Sequence, residues 1–308
     1  MTKNALEEYV LINGITQYFL HLPNKGKDVV LMLHGGPGLA NSYLAYYQQP
    51  YFDFCNVVYY DQRGASKTQL KNNSTPESLS LDILLEDLKQ TIEYVQQKYA
   101  ADSIFLLGHS WGTMLGTQYI MRYPQTVAGY IGYGQIVATA TQDRSWYEHL
   151  KTLVLKSGDQ KDIETFHSVN DTFPNIARQE FVKASFLLGE LEYKYGFRAN
   201  DVFEIYSKSP IWSTEDEIQL VQSEELNQKL YGEVFIGYDI RAITEYQTPV
   251  YYVLGRRDEW TTSTIAAGYF ETIQAPKKGL YWIEDAGHLT DTDNPSAFFA
   301  AIKKIITQ

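Results

Sequence analysis

The chain has 308 residues, of which 44% are hydrophobic and 20% charged, and its formal net charge at pH 7 is −11. This composition is typical of a globular protein long enough to bury a large core without disulfides or metals. Nucleic acids and anionic membrane surfaces bind basic faces, and the sequence has no dense cluster of Lys and Arg. We therefore expect neither as a partner.

The cysteine content and the N-terminal sequence bear on the compartment. The single cysteine, Cys55, can form neither an intramolecular disulfide nor a cysteine-based metal site. The first residues lack an apolar stretch after a basic start, so they do not predict a signal peptide. No segment reaches the roughly 20 apolar residues that a membrane span needs. We expect a cytoplasmic protein.

The first third of the chain predicts a hairpin followed by buried strands. Residues 9–22 favour a β-hairpin, because Asn13-Gly14 supplies the positive φ angles of a two-residue turn. From Leu81 to Tyr99, apolar residues recur at helical spacing. Continuous apolar runs, typical of strands buried on both faces, lie at 29–33, 57–60 and 103–107. Strands alternating with helices predict a mostly parallel sheet flanked by helices.

The middle of the chain departs from this alternation. A helix over 110–122 and a strand over 127–133 are predicted first. From about residue 137 to 234, helical segments and aromatic residues dominate. Alternation then resumes, with strands at 250–254 and 280–283 and helices at 262–273 and 295–306. We therefore expect a core of residues 1–137 and 236–308, with a helical cap inserted at 138–235.

Residues 108–112 match the pattern G-x-S-x-G, a nucleophile elbow. In this motif the nucleophile lies on a strained turn between a strand and a helix, and small flanking residues let the two backbones approach. Here a predicted strand precedes the pattern and a predicted helix follows it, which points to Ser110 as the nucleophile. A turn of Gly and Ser without chemistry is the alternative.

The loop at residues 34–38 and the residue after the nucleophile are candidates for an oxyanion hole. In this architecture each provides one backbone N–H. We therefore predict Gly36 and Trp111 as the two donors. His34 is expected to bond to nearby backbone rather than to act as the base, because the base comes last in the chain order of such triads.

Asp258 and His288 complete a possible triad in the order Ser, Asp, His. Each lies just past the end of a predicted strand, at the edge where open α/β sheets bind ligands. We predict that Asp258 orients the imidazole and that His288 takes the serine proton. Glu259 and Asp285 are the alternative acids, and Glu259 is the nearer because it shares the loop of Asp258.

Taken together, residues 34–38, 61–64 and 108–112 resemble the proline iminopeptidase family of α/β-hydrolases, as do Gly255-x-x-Asp258 and Gly287-His288. The resemblance implies the α/β-hydrolase fold, the same triad and oxyanion donors, and structural roles for Asp61 and Arg63. It also implies release of an N-terminal residue, often proline, whose ammonium group is bound by carboxylates of the cap. His109 stands where the family more often has glycine, and residues 65–68 also depart from its usual Ala-Gly-x-Ser.

The substrate is less well defined by the sequence. Four acidic residues are candidates for ammonium binding by location in the cap alone, with a solvated helix face as the alternative for each: Glu180, Glu190, Glu192 and Glu204. We expect a small molecule or short peptide as substrate, and the sequence leaves a homo-oligomer open. No cofactor or metal is expected, since phosphate-loop and metal-ligand spacings are absent. A small-molecule esterase or lactonase, or a ligand-binding protein with little turnover, are the alternative functions.

Overall fold

The computed structural model describes residues 5–24, 26 and 28–308. In this part of the chain, eight strands form one sheet in the spatial order β1-β2-β4-β3-β5-β6-β7-β8. They are β1 (Leu6–Ile12), β2 (Ile15–Leu22), β3 (Val29–Leu33), β4 (Asn56–Tyr60), β5 (Ile104–His109), β6 (Val127–Tyr133), β7 (Val250–Gly255) and β8 (Lys278–Ile283).

The pairing of the strands confirms the predicted mostly parallel sheet. β1 and β2 form the expected antiparallel hairpin, and its turn residues Asn13 and Gly14 both have positive φ angles. β2 pairs antiparallel with β4, and every later pair, from β4–β3 to β7–β8, is parallel. The carboxyl ends of these parallel strands therefore meet at one edge.

Helices cover both faces of the sheet, which explains the continuous apolar runs. The α-helices are α1 (Ala45–Gln48), α2 (Ser66–Asn72), α3 (Leu81–Tyr99), α4 (Trp111–Arg122), α5 (Thr139–Ser157), α6 (Gln160–His167), α7 (Arg178–Tyr195), α8 (Val202–Ser207), α9 (Thr214–Phe235), α10 (Ser263–Thr272), α11 (Thr290–Asp293) and α12 (Pro295–Ile306). Along β3, Leu31 and Leu33 pack into the cluster shared with α3, α4 and α10, whereas Val30 and Met32 pack into the cluster shared with α12. Alternate residues are thus buried on opposite faces.

Helices α5–α9, which we term the inserted helices, lie between β6 and β7. Within this segment the described chain forms no named strand, and a bridge between Ala138 and Asp239 joins its two ends. At the other side, Lys67 of α2 forms an ion pair of 2.9 Å with the buried Asp216 of α9. These contacts fix the inserted helices against the sheet's flanking elements. None of the described helices is long and apolar enough to cross a membrane.

Candidate active site

Ser110 occupies the turn between β5 and α4. Its φ is 51° and its ψ is −118°, a strained conformation for a residue with a side chain. The flanking glycines explain why the turn is allowed. A Cβ on Gly112 would lie 2.0 Å from the carbonyl oxygen of Leu33, and one on Gly108 would lie 2.8 Å from the carbonyl oxygen of Gly112. The G-x-S-x-G spacing therefore permits a close approach of β5, β3 and α4.

The two predicted oxyanion donors lie beside this turn. Trp111 is the first residue of α4, so its N–H has no acceptor within the helix. Gly36 has a φ of 108° and lines the same cavity as Ser110. A Cβ at Gly36 would come within 2.6 Å of the Gly38 nitrogen, which excludes larger residues from this position. The fold thus brings both predicted donors to the neighbourhood of Ser110.

His34 binds backbone groups rather than facing a substrate. Its Nδ1 lies 2.9 Å from the carbonyl oxygen of Gly35, and its Nε2 lies 3.0 Å from the backbone nitrogen of Gln62. Burial lowers the pKa of His34 to about 4, so the ring is neutral at pH 7. Gln62 in turn accepts a hydrogen bond of 2.9 Å from the indole of Trp111. These bonds agree with the structural role expected for His34.

Asp61 and Arg63 also make structural contacts close to this loop. The buried Asp61 accepts hydrogen bonds from the Ser42 hydroxyl at 2.7 Å and from the Lys67 backbone at 3.0 Å. Arg63 donates two hydrogen bonds to the carboxylate of Asp87, at 2.7 and 2.8 Å. These contacts connect the segment after β4 to Ser42, to α2 and to α3.

Asp258 and His288 are in direct contact. The Oδ2 atom of Asp258 lies 3.1 Å from Nδ1 of His288. Thr261, which the sequence analysis missed, donates to both carboxylate oxygens, from its backbone N–H at 3.0 Å and its hydroxyl at 2.8 Å. Burial alone would raise the pKa of Asp258, but attraction to His288 and these hydrogen bonds outweigh it and lower the pKa. Asp258 is therefore ionised and fixed in orientation.

The two alternative acids are placed differently. The side chain of Asp285 is exposed and forms an ion pair of 2.7 Å with Arg257. Glu259 is half-buried, and among the described residues its carboxylate makes no hydrogen bond to His288. Of the three acids considered, Asp258 is the one that contacts the imidazole.

His109 has a role that the sequence analysis did not predict. Its Nε2 lies 3.0 Å from the carbonyl oxygen of His288, and its ring stacks on Tyr133. Burial and the neighbouring charge of His288 lower the pKa of His109 to about 3, so it is neutral. The neutral ring of His109 therefore donates from Nε2–H to this carbonyl oxygen and fixes the backbone at His288. No spacing in the sequence indicated this contact.

The predicted nucleophile, base and loop donor border one cavity of about 180 Å³. Ser110, His288 and Gly36 line it, together with Trp260, whose ring lies 5.0 Å from that of His288. The inserted helices contribute further lining residues, which include Glu192. The predicted nucleophile and base therefore share a cavity closed in part by the inserted helices.

Of the four acidic residues proposed for ammonium binding, Glu192 alone lines this cavity. It is only 7% exposed, and Trp146 donates a hydrogen bond of 3.1 Å to its carboxylate. Burial raises the pKa of Glu192 to about 7, although the Trp146 bond acts in the opposite direction. The other three are exposed: Glu180 beside a separate surface cavity, Glu190 beside the cavity adjoining the site, and Glu204 in an ion pair with Lys208.

Replacing Glu192 by Gln is expected to stabilise the protein at alkaline pH. Because the folded-state pKa is raised, folding loses stability as pH rises from the ordinary value of 4.5 through about 7. At 1.36 kcal/mol per pKa unit, removing this buried charge adds on the order of 3 kcal/mol to the free energy of unfolding at pH 8. Urea unfolding at pH 8 and pH 4 measures the effect, which should vanish at pH 4.

The exposed Glu190, on the same helix, provides a matched control through Glu190→Gln, which should leave stability unchanged at both pH values. A Glu192→Gln protein that is no more stable than wild type at pH 8 would show that the carboxylate is adequately solvated or paired.

Among the described residues, no group of three or more His, Cys, Asp or Glu is arranged to hold a metal ion. The side chains and backbone groups gathered at this site are a serine hydroxyl, an imidazole, carboxylates and N–H donors. Such a set can perform acyl transfer through a covalent intermediate.

Two curated relatives resemble the chain over most of its length. A probable aminopeptidase, YbaC, of Bacillus subtilis (strain 168) is 20% identical over 297 residues, covering 95% of this chain and 90% of that protein. A proline iminopeptidase of Heyndrickxia coagulans is 25% identical over 292 residues, covering 91% of this chain and 90% of that protein. The resemblance to proline iminopeptidases inferred from the motifs is therefore confirmed.

Solved structures share the fold. A proline iminopeptidase-related protein from Thermus thermophilus superimposes with a TM-score of 0.69 at 19% identity, covering 99% of this chain and 98% of that one. Epoxide hydrolases share the fold as well. A model of the family described as the alpha/beta hydrolase fold matches residues 28–295. The chain therefore belongs to the α/β-hydrolase family.

Proposed function

We propose that the protein is a serine hydrolase that removes the N-terminal residue from small peptides or amino-acid amides. The observation that carries this proposal is the buried carboxylate of Glu192 in the wall of the cavity that Ser110 and His288 also line. An ammonium group entering a partly dry cavity needs such a partner to offset its desolvation. The aminopeptidase and proline iminopeptidase names of the relatives support the same function.

In the proposed mechanism, Ser110 Oγ attacks the carbonyl carbon of the substrate's first residue. His288 takes the serine proton at Nε2, because Nδ1 is engaged by Asp258. The N–H groups of Trp111 and Gly36 stabilise the oxyanion of the tetrahedral intermediate. His288 then protonates the leaving amine as the C–N bond breaks, leaving an acyl-enzyme, and a water molecule activated by His288 releases the amino acid.

We further propose that residues 138–235 act as the cap of this site. The inserted helices supply Glu192 and several apolar walls of the cavity, among them Val202 and Phe203. Because the substrate's ammonium group is expected to meet Glu192, substrate choice would reside mainly in the inserted helices rather than in the sheet.

Acetylating the amine of a prolyl or alanyl p-nitroanilide is expected to lower kcat/KM steeply. A neutral acetamide leaves the buried Glu192 without a cationic partner, and sites built for a polar group reject analogues lacking it by as much as about 10⁴-fold. In Glu192→Gln the difference between free and acetylated substrate should shrink sharply, whereas the control Glu190→Gln should retain it. Equal rates on free and acetylated substrates with wild-type protein would overturn the aminopeptidase assignment.

A small-molecule esterase is the second candidate, and a neighbouring apolar cavity favours it. This cavity, of about 570 Å³, shares Gly36 and Trp260 with the site. Apolar side chains of the inserted segment line it: Phe186, Trp212, Leu220, Val221 and Tyr231. It would suit the acyl chain of an ester. Short-chain p-nitrophenyl esters assayed in parallel with proline, alanine and leucine p-nitroanilides separate the two functions, since exclusive ester hydrolysis would favour the second.

A further inference from the structure

Arg198 is the one arginine among the described residues that line the cavity of Ser110 and His288. It follows the end of α7, six positions after Glu192, which lines the same cavity. The site therefore contains a buried acidic group and a basic group, both bordering the space in which the proposed substrate is cleaved.

The guanidinium group of Arg198 is held against an aromatic ring. Its central carbon lies 3.3 Å from the centre of the Tyr193 ring, in stacking distance. The Tyr193 hydroxyl donates a hydrogen bond of 2.6 Å to Asp201. That hydrogen bond lowers the pKa of Asp201, and the charge of Arg198 adds a smaller effect. Such a contact uses the flat face of the guanidinium, whereas the N–H donors lie in the plane of the group.

One of these N–H donors lacks a partner within the part of the chain that the structure describes. Nη1 of Arg198 is buried and has no hydrogen-bond partner there, and no carboxylate there forms an ion pair with Arg198. The acidic cavity residue Asp291 is already bound by Gln48 and Tyr133, at 2.6 and 3.2 Å. Buried N–H donors almost always have a partner, so an unpaired one indicates a ligand or an ordered water.

We propose that Arg198 binds the C-terminal carboxylate of the substrate, so that the enzyme acts preferentially on free dipeptides. This inference rests on the proposed aminopeptidase function and specifies its substrate class. A free dipeptide carries an ammonium group at one end and a carboxylate at the other, with the scissile amide between them. Glu192 and Arg198 provide the two complementary charges, and guanidinium groups match carboxylates in charge and planar geometry.

The size of the site agrees with a substrate of this length. Its cavity of about 180 Å³ is below the roughly 300–1,000 Å³ of sites for drug-sized ligands. A longer peptide would place its C-terminal carboxylate beyond the cavity that Arg198 lines. Arg198 should therefore select both for a short peptide and for a free C-terminal carboxylate.

Binding to the Ser110→Ala protein tests the inference without requiring turnover. Isothermal titration calorimetry would compare prolyl-alanine with prolyl-alaninamide, in which a neutral carboxamide replaces the terminal carboxylate. We expect the free acid to bind about 10- to 100-fold more tightly, the range of a charged hydrogen bond. Adding Arg198→Gln should bring the two Kd values close together, and Arg198→Lys should give an intermediate ratio.

Arg178→Gln provides the matched control, because Arg178 begins α7, is exposed and lies 3.8 Å from Glu233. It should retain the preference for the acid. Equal binding of acid and amide by the Ser110→Ala protein, or a preference that survives Arg198→Gln, would overturn the inference.

Kinetics with the intact triad separates this inference from the proposed function. In Arg198→Gln the kcat/KM for the acid should fall relative to the kcat/KM for the amide. The cause should be a higher KM for the acid, with kcat little changed. If the wild-type protein hydrolyses the amide and the acid with equal kcat/KM, the aminopeptidase function stands and the role of Arg198 is wrong. If neither is hydrolysed, the aminopeptidase function fails, and the calorimetric preference still decides whether Arg198 binds a carboxylate.

Discussion

Replacing Ser110 by Ala is expected to abolish covalent labelling by a fluorophosphonate probe and to lower kcat by about 10⁶-fold, as loss of the nucleophile does in serine hydrolases. The physical reason is the strained turn, which presents the hydroxyl to a cavity shared with His288. Without the hydroxyl, neither the acyl-enzyme nor the phosphonylated adduct can form. Intact-mass spectrometry measures the adduct directly.

Ser207→Ala is a suitable control for this experiment, because Ser207 is exposed and lines the neighbouring cavity. Its labelling should equal that of wild type. Labelling of Ser110→Ala at the wild-type rate would mean that another residue is the nucleophile, and the serine-hydrolase mechanism proposed for this site would have to be abandoned.

Asp258→Asn should lower kcat by about 10⁴-fold while leaving KM nearly unchanged. The backbone N–H of Thr261 donates to one carboxylate oxygen, so the amide oxygen of the new side chain is expected to take that position. Its NH₂ group would then face Nδ1 of His288 and donate to it. The imidazole would be forced to carry its proton on Nε2, the atom that must accept the serine proton, and the base would be in the wrong tautomer.

Glu259→Gln, in the same loop, is the comparison that makes this result interpretable. It should stay within a few-fold of wild-type kcat, because the Glu259 side chain makes no bond to His288 among the described contacts. A crippled Glu259→Gln together with an almost normal Asp258→Asn would reassign the acid. Thermal unfolding of both variants would check that each is folded.

The fold could be predicted from the sequence, and the candidates for the triad could be chosen from it, because both depend on local patterns. A strand covered on both faces needs a continuous apolar run, which is why residues 29–33 were recognised. The elbow needs glycines at fixed offsets from Ser110, since a Cβ at either flank would collide with neighbouring backbone. Chain order then placed Asp258 and His288 at the ends of later strands, and the contact between them follows from the parallel sheet.

The side-chain contacts around the candidate site could not be predicted from the sequence. The sequence does not distinguish the four acidic candidates for ammonium binding, which are Glu180, Glu190, Glu192 and Glu204. Only the packing of the helices buries Glu192 against Trp146 and leaves the other three exposed. Gly196 contributes, because a Cβ there would lie 1.9 Å from the Glu192 carboxylate. Arg198 and His109 likewise acquire their roles from tertiary packing.

What the sequence by itself determined is the sheet, its helices and the order of the candidate catalytic groups, because periodicity and turn geometry are properties of neighbouring residues. The tertiary structure alone decided which charges share the cavity. Burial depends on how α7 and the segment after it pack over the sheet edge, and burial is what raises the pKa of Glu192 to about 7 and leaves Nη1 of Arg198 without a partner in the described chain.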